Sequence, residues 1–130
     1  MSLVNIYVTT YRNHVTFSAV LDSYLSQTHK NIKIHVFDNS FADGYEEIKD
    51  IIEKKKDKRI IYTKNNCQLG ASANYWQAIN SIDYKSKVIF LASDMGLARD
   101  AIEVMLQNMK SSQSQMVMPA TREYPAEMFF

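Results

Sequence analysis

Two hydrophobic periods alternate along this chain. Residues 3–9 form an apolar, β-branched run that reads as a strand, with the strand assigned to 2–9. Phe17, Val20, Leu21, Tyr24 and Leu25 then recur at i, i+3, i+4, i+7 and i+8, which is one face of a helix, with Thr16 placed to cap it. A second strand is predicted over 32–37. Asp43, Gly44, Tyr45 and Glu46 have the spacing of a capped helix start, and Tyr45, Ile48, Ile51 and Ile52 mark that helix's buried side. Lys54, Lys55 and Lys56 suit its C-terminus. A third strand follows over 60–63, and Ala71, Tyr75, Ala78, Ile79 and Ile82 give a third helical stripe. The continuous apolar run in 87–92 predicts a fourth strand buried on both faces. Ile102, Met105, Leu106 and Met109 mark a fourth helix, and 115–118 is predicted as a fifth strand stopped by Pro119. Strand and helix alternating in this way predict an α/β fold with an open, mostly parallel sheet and flanking helices.

Composition narrows the function classes. The 130 residues carry 46% apolar and 22% charged side chains and neither repeat nor linker, so one domain over 1–130 is expected. Fifteen Lys and Arg against 14 Asp and Glu give a net charge of +1, which supplies no electrostatic claim on nucleic acid. One cysteine, Cys67, excludes an internal disulfide framework and a cysteine-built zinc site, and His14, His29 and His35 lack metal-ligand spacing. Three glycines, Gly44, Gly70 and Gly96, exclude both the dinucleotide fingerprint and the Walker A loop. The longest apolar run, 88–92, is too short to span a bilayer, and the N-terminus lacks a basic segment before a long apolar one. A cytoplasmic protein is the expectation. The Lys54 to Arg59 run reads as a solvated helix end, and Met105, Met109, Met116 and Met118 as core filler.

Ligands of open parallel sheets bind beyond the carboxyl ends of the strands, where strand order reverses. Those ends here are Thr9-Thr10-Tyr11-Arg12-Asn13, Asp38-Asn39-Ser40, Lys64-Asn65-Asn66 leading to Gly70-Ala71-Ser72-Ala73-Asn74, and Ser93-Asp94-Met95-Gly96. All are small and polar, and two carry an acid. Tyr11 offers an aromatic face for stacking, and Asp38 and Asn66 offer hydrogen-bonding groups to a polar ligand. Asp38 could instead cap its own turn through Asn39 and Ser40, and Asp94 could be a helix N-terminal acid.

These same residues resemble the nucleotide-binding half of a family 2 glycosyltransferase with the GT-A fold. Thr10-Tyr11 matches the family's Pro-Thr-Tyr-Asn-type turn without its proline. Ser23-Tyr24-Leu25-Ser26-Gln27-Thr28 matches Ser-Leu-x-x-Gln-Thr, and Val36-Phe37-Asp38-Asn39 matches the strand closing in Val-Asp-Asp or Val-Asp-Asn. Asn66 to Asn74 matches the Asn-x-Gly stretch, and Ala92-Ser93-Asp94 stands at Asp-x-Asp. The resemblance implies transfer of a sugar from a nucleotide-diphosphate donor, UDP-linked, to an acceptor hydroxyl with inversion. It implies nucleotide contacts from Thr10, Tyr11, Asp38, Asn39, Asn66, Gly70 and Asn74, and a manganese or magnesium ion on Asp94. Ala92 replaces the first acid of the metal motif and Ala73 a frequent arginine. No residue matches the family's catalytic base, and the acceptor half is expected to be absent from these 130 residues, as in a truncated product. The alternative is a truncated or degenerate nucleotide-binding module without catalysis. A nucleotidyltransferase would want a glycine-rich basic loop after the first strand, and a receiver domain paired acids there; neither is present. The apolar tail 128–130 points to a cut or to a homo-oligomer contact.

Overall fold

A computed structural model describes residues 2–40, 44–67, 69–83 and 85–113. Strands and helices alternate through β1 (Val4–Thr10), α1 (Phe17–Leu25), β2 (Ile32–Asp38), α2 (Glu47–Lys55), β3 (Ile60–Lys64), α3 (Ala71–Asn80), β4 (Lys87–Ala92) and α4 (Ala101–Ser112). The four strands form one parallel sheet in the order β3-β2-β1-β4, as the alternation predicts. The predicted strand over 115–118 lies outside the described residues.

β1 is central, and all seven of its residues are buried. Its odd and even positions serve two different cores. Val4, Ile6 and Val8 join Ile32, Ile34 and Val36 of β2 under α1, whose Phe17, Val20, Leu21 and Tyr24 are fully buried. Ile48 of α2 and Ile102 of α4 close the same cluster. On the other face Tyr7 and Phe37 pack with Ala78 of α3. A side-chain period of two thus lets one strand feed both layers.

Three local expectations are corrected in whole or in part. β4 is covered on both faces, but incompletely: Ile89 and Leu91 pack with the first cluster and Val88 and Phe90 against the second, yet only Leu91 is fully buried, Lys87 is exposed, and among the described residues the strand lies at the sheet edge. A continuous apolar run fits an edge strand as well as a central one, because neighbours and not composition cover it. Helix α2 starts at Glu47 with Glu46 at its N-cap, so Glu46 is not the third helical residue that a capping box starting at Asp43 requires. Helix α3 buries Asn74 and Ala78, whereas Tyr75 and Ala71 of the expected stripe are exposed. Its polar Asn74 faces the sheet because an amide network receives it there. Thr16 does occupy the α1 N-cap, but its hydroxyl donates to Asn13 Oδ1 at 3.0 Å and accepts no N–H of the helix backbone. No helix among the described residues is long and apolar enough to cross a membrane.

Candidate functional site

Strand order runs from β1 through β2 to β3 on one side and jumps to β4 on the other, so the switch point lies between β1 and β4. A cleft of about 650 Å³ opens at their carboxyl ends. It is lined by Thr10 and Tyr11 after β1, Asn39 after β2, Gly70 and Asn74 at the start of α3, and Asp94 after β4. Six of the eight site residues expected from the sequence therefore meet in one cavity. Asp38 and Asn66 do not line it.

Each wall has its own support. On the β1 side, Thr10 is 3% exposed and its hydroxyl has no hydrogen-bond partner among the described residues. A buried hydroxyl without a partner costs free energy that a ligand or water can recover. Tyr11 is half exposed at the cleft mouth. Arg12 stands next to it in a left-handed backbone conformation, φ 51°, with its N–H donating to Ser40 Oγ at 2.6 Å. Its guanidinium lies 5.6 Å from the Tyr11 ring centre and 5.4 Å from that of Tyr45. Two aromatic faces thus hold one cation beside the cleft. In the sequence Arg12 stands out only as part of the turn, and its signal is a cation directly after a strand-end tyrosine.

On the β2 side, three amides form the wall. Asn39 Oδ1 accepts from Leu69 N–H and from Asn65 Nδ2, both at 2.9 Å, while Asn39 Nδ2 donates to the Leu69 carbonyl. Asn65 Nδ2 also donates to Asn74 Oδ1 at 3.1 Å. All three asparagines are buried. The network ties the loop before α3 to the end of β2, so that Leu69 and Gly70 stand over the cleft. Asn65 is the member that sequence reasoning missed. Asn66 next to it is exposed and lines a separate cavity of about 310 Å³ with Thr63, Cys67 and Gln77.

Asp38 sits beneath this wall, 1% exposed. Its Oδ1 accepts from Ser40 N–H at 2.8 Å and its Oδ2 from the Tyr62 hydroxyl at 2.6 Å. The turn-capping alternative is what the geometry presents, and both carboxylate oxygens have protein donors. Burial, with the Asp38 carboxylate close by, raises the Tyr62 pKa far above the ordinary phenol range, so this hydroxyl is a standing donor.

Gly70 is the N-cap of α3, and no side chain caps that helix. A side chain at position 70 would meet nothing within 4 Å, and no acid stands in the first turn. The α3 N-terminus therefore presents backbone N–H groups at the cleft, an arrangement that favours anions. Across from it, Asp94 is exposed. Among the described residues no group of three or more His, Cys, Asp or Glu gathers, and position 92 is alanine. One exposed carboxylate does not make a preformed metal cage. Its oxygens are hard donors of the kind that manganese and magnesium take.

The sequence model of Glycosyl transferase family 2 matches residues 5–130. The chain belongs to this family. Relatives include the UDP-Glc:alpha-D-GlcNAc-diphosphoundecaprenol beta-1,3-glucosyltransferase WfaP of Escherichia coli, 46% identical over 72 residues, which are 55% of this chain and 28% of WfaP. The abequosyltransferase RfbV of Salmonella typhimurium is 30% identical over 114 residues, 86% of this chain and 34% of RfbV. The chain thus spans about a third or less of the length of these relatives. Among solved structures, Staphylococcus aureus TarS 1–349 in complex with UDP superposes with a TM-score of 0.73 at 14% identity, over 96% of this chain and 38% of that one. The mannosyltransferase PcManGT of Pyrobaculum calidifontis, in complex with GDP-Man and Mn2+, gives a TM-score of 0.67 at 18% identity, over 82% of this chain and 32% of that one. The family 2 sheet and helices are therefore those of the GT-A transferases, as the motifs imply.

Proposed function

We propose that this family 2 chain is the donor-binding portion of a glycosyltransferase, and that its cleft takes a UDP-linked sugar for transfer to an acceptor hydroxyl with inversion. The observation that carries the reading is the meeting of Thr10, Tyr11, Asn39, Gly70, Asn74 and Asp94 at the switch point of a parallel sheet. The half-exposed Tyr11 ring gives the base a stacking face, and Thr10 Oγ1 gives the nucleoside an unspent hydroxyl. The diphosphate lies against the α3 N-terminus at Gly70 and Ala71. Asp94 would hold manganese or magnesium, which when bound supplies Lewis-acid charge to the leaving diphosphate. Asp38 and the amides of Asn39 and Asn74 support the wall behind the nucleoside; Asp38 meets a base directly only when Ser40 or Tyr62 yields an oxygen. Asn66, on the far side of the same loop, has no direct part.

Ala92 favours a second reading, a nucleotide-binding module without catalysis, because Asp94 then lacks the neighbouring acid of the family motif. Calorimetric titration of the chain with UDP, GDP and ADP, with and without manganese, tests both. Preferential UDP binding, strengthened by manganese and returned to the metal-free value by Asp94→Ala, is expected. UDP binding indifferent to manganese supports the non-catalytic module, and absence of nucleotide binding overturns both readings.

A further inference from the structure

The loop that carries Asp94 connects β4 to α4 and is mostly exposed, with Leu97 packed against the core and Ser93 buried. Its course is set by hydrogen bonds to the C-terminal end of α1. The Tyr24 hydroxyl donates to the Met95 carbonyl. Leu97 N–H donates to Ser23 Oγ at 3.1 Å. Gln27 Nε2 donates to the Ala98 carbonyl at 2.6 Å, and Thr28 N–H to the Arg99 carbonyl at 2.9 Å. Gln27 Oε1 then accepts from Ile102 N–H at 3.1 Å, one of the orphan donors at the start of α4. Thr28 Oγ1 finishes the series on Glu103 Oε2 at 2.7 Å. Tyr24 and Gln27 are both 0% exposed. On the other side of Asp94, Asn13 Nδ2 donates to the Ser93 carbonyl at 3.0 Å and to Ser93 Oγ at 3.2 Å. Asp94 is therefore the residue between two tethered neighbours, Ser93 and Met95.

From this juxtaposition we infer that Ser23, Tyr24 and Gln27 are positioning residues for the Asp94 carboxylate, setting how strongly the cleft holds a divalent cation with a nucleoside diphosphate. The inference rests on the donor-site reading above. It assigns work to residues in and just after the last turn of α1 that do not line the cleft. Hydrogen bonds from a helix end to a loop also stabilise the fold, so the test must separate the two effects.

UDP is titrated into the full chain with and without manganese, for wild type, Tyr24→Phe, Ser23→Ala and Ser23→Thr, with urea midpoints measured in parallel. Tyr24→Phe keeps the buried ring and removes only the hydroxyl; Ser23→Ala is nearly isosteric, so one variant serves if the other fails to fold. The expected result is a metal-free UDP affinity within about twofold of wild type and a manganese-dependent gain reduced about fivefold, the equilibrium weight of one net hydrogen bond. Ser23→Thr, which keeps the hydroxyl, is expected to restore the gain. A wild-type gain that persists unchanged in folded Tyr24→Phe and Ser23→Ala overturns the inference and leaves the donor reading standing. Equal loss of metal-free and metal-dependent affinity also overturns it, since that is a general structural effect. A wild type that shows no manganese-dependent gain overturns the inference together with the metal reading.

Discussion

Tyr62→Phe removes one oxygen from the protein, and its consequences follow from the surroundings of Asp38. The Tyr62 hydroxyl is one of two donors to a carboxylate that is 1% exposed, at 2.6 Å; Ser40 N–H, at 2.8 Å, is the other. Water has little access to replace the lost donor. A hydrogen bond to a charged group contributes roughly 1.5–3 kcal/mol, and the ring itself still packs against the core, so the expected loss is about 2 kcal/mol. Asp38→Asn is expected to cost less, about 1 kcal/mol, because its amide oxygen can keep the Ser40 N–H while its amino group donates to the Tyr62 oxygen. The double variant should then lose less than the sum, with a coupling energy of about 1–2 kcal/mol. Urea denaturation followed by far-ultraviolet circular dichroism measures all four proteins. With a slope of roughly 2 kcal/mol per molar, Tyr62→Phe should lower the midpoint by about 1 M. A shift for Tyr62→Phe below about 0.3 M, or strict additivity in the cycle, would refute the view that Asp38 is a buried, fully donated carboxylate.

The amide wall gives two of the expected site asparagines different weights: Asn39→Ala should cost about 2 kcal/mol and speed amide exchange at Leu69, whereas Asn66→Ala should stay within about 0.5 kcal/mol of wild type. Equal effects in urea titrations of the two variants would show that the network is not what holds the loop. His35 provides a pH test. Burial first, and Lys33 second, lower its pKa below the ordinary 6.5, where it stacks on Tyr7 at 4.5 Å and hydrogen-bonds Asn5 Oδ1. The unfolded chain then binds the proton more readily than the folded one. This stability contribution is fully present above about pH 6.5 and is lost as pH falls through that value toward the folded pKa. Urea midpoints of wild type and His35→Gln from pH 7.5 to 5 should converge or cross in that window, and parallel curves would sink the assignment.

The alternation of periods made the parallel sheet legible, because a strand that must bury two faces and a helix that must bury one leave different marks in the chain. The same marks placed Thr10, Asn39 and Asp94 at strand ends and Gly70 in the segment between β3 and α3, and the reversal of strand order at β1 and β4 then gathered them. What stayed hidden was decided by single-residue phase or by long-range pairing. Asn65 and Asn66 are chemically identical in sequence, yet the first continues the β2–β3 ladder, with its N–H on the Asp38 carbonyl at 2.9 Å, and turns inward, while the second is exposed. Asp38 ends its strand facing Tyr62, a partner 24 residues away on the neighbouring strand. The Ser23 to Thr28 segment shows the limit most clearly. Its residues resemble a family motif, but their partners lie 71 to 75 residues onward in the loop and first turn after β4. No local period or spacing encodes such a pairing. It exists because α1 packs over β1 beside β4, which brings the helix end to the loop that β4 releases. The polar groups of that loop then need partners, and Ser23, Tyr24, Gln27 and Thr28 are the ones within reach. A polar stretch at a helix end is thus explained by the backbone groups of a distant loop, the loop that carries Asp94.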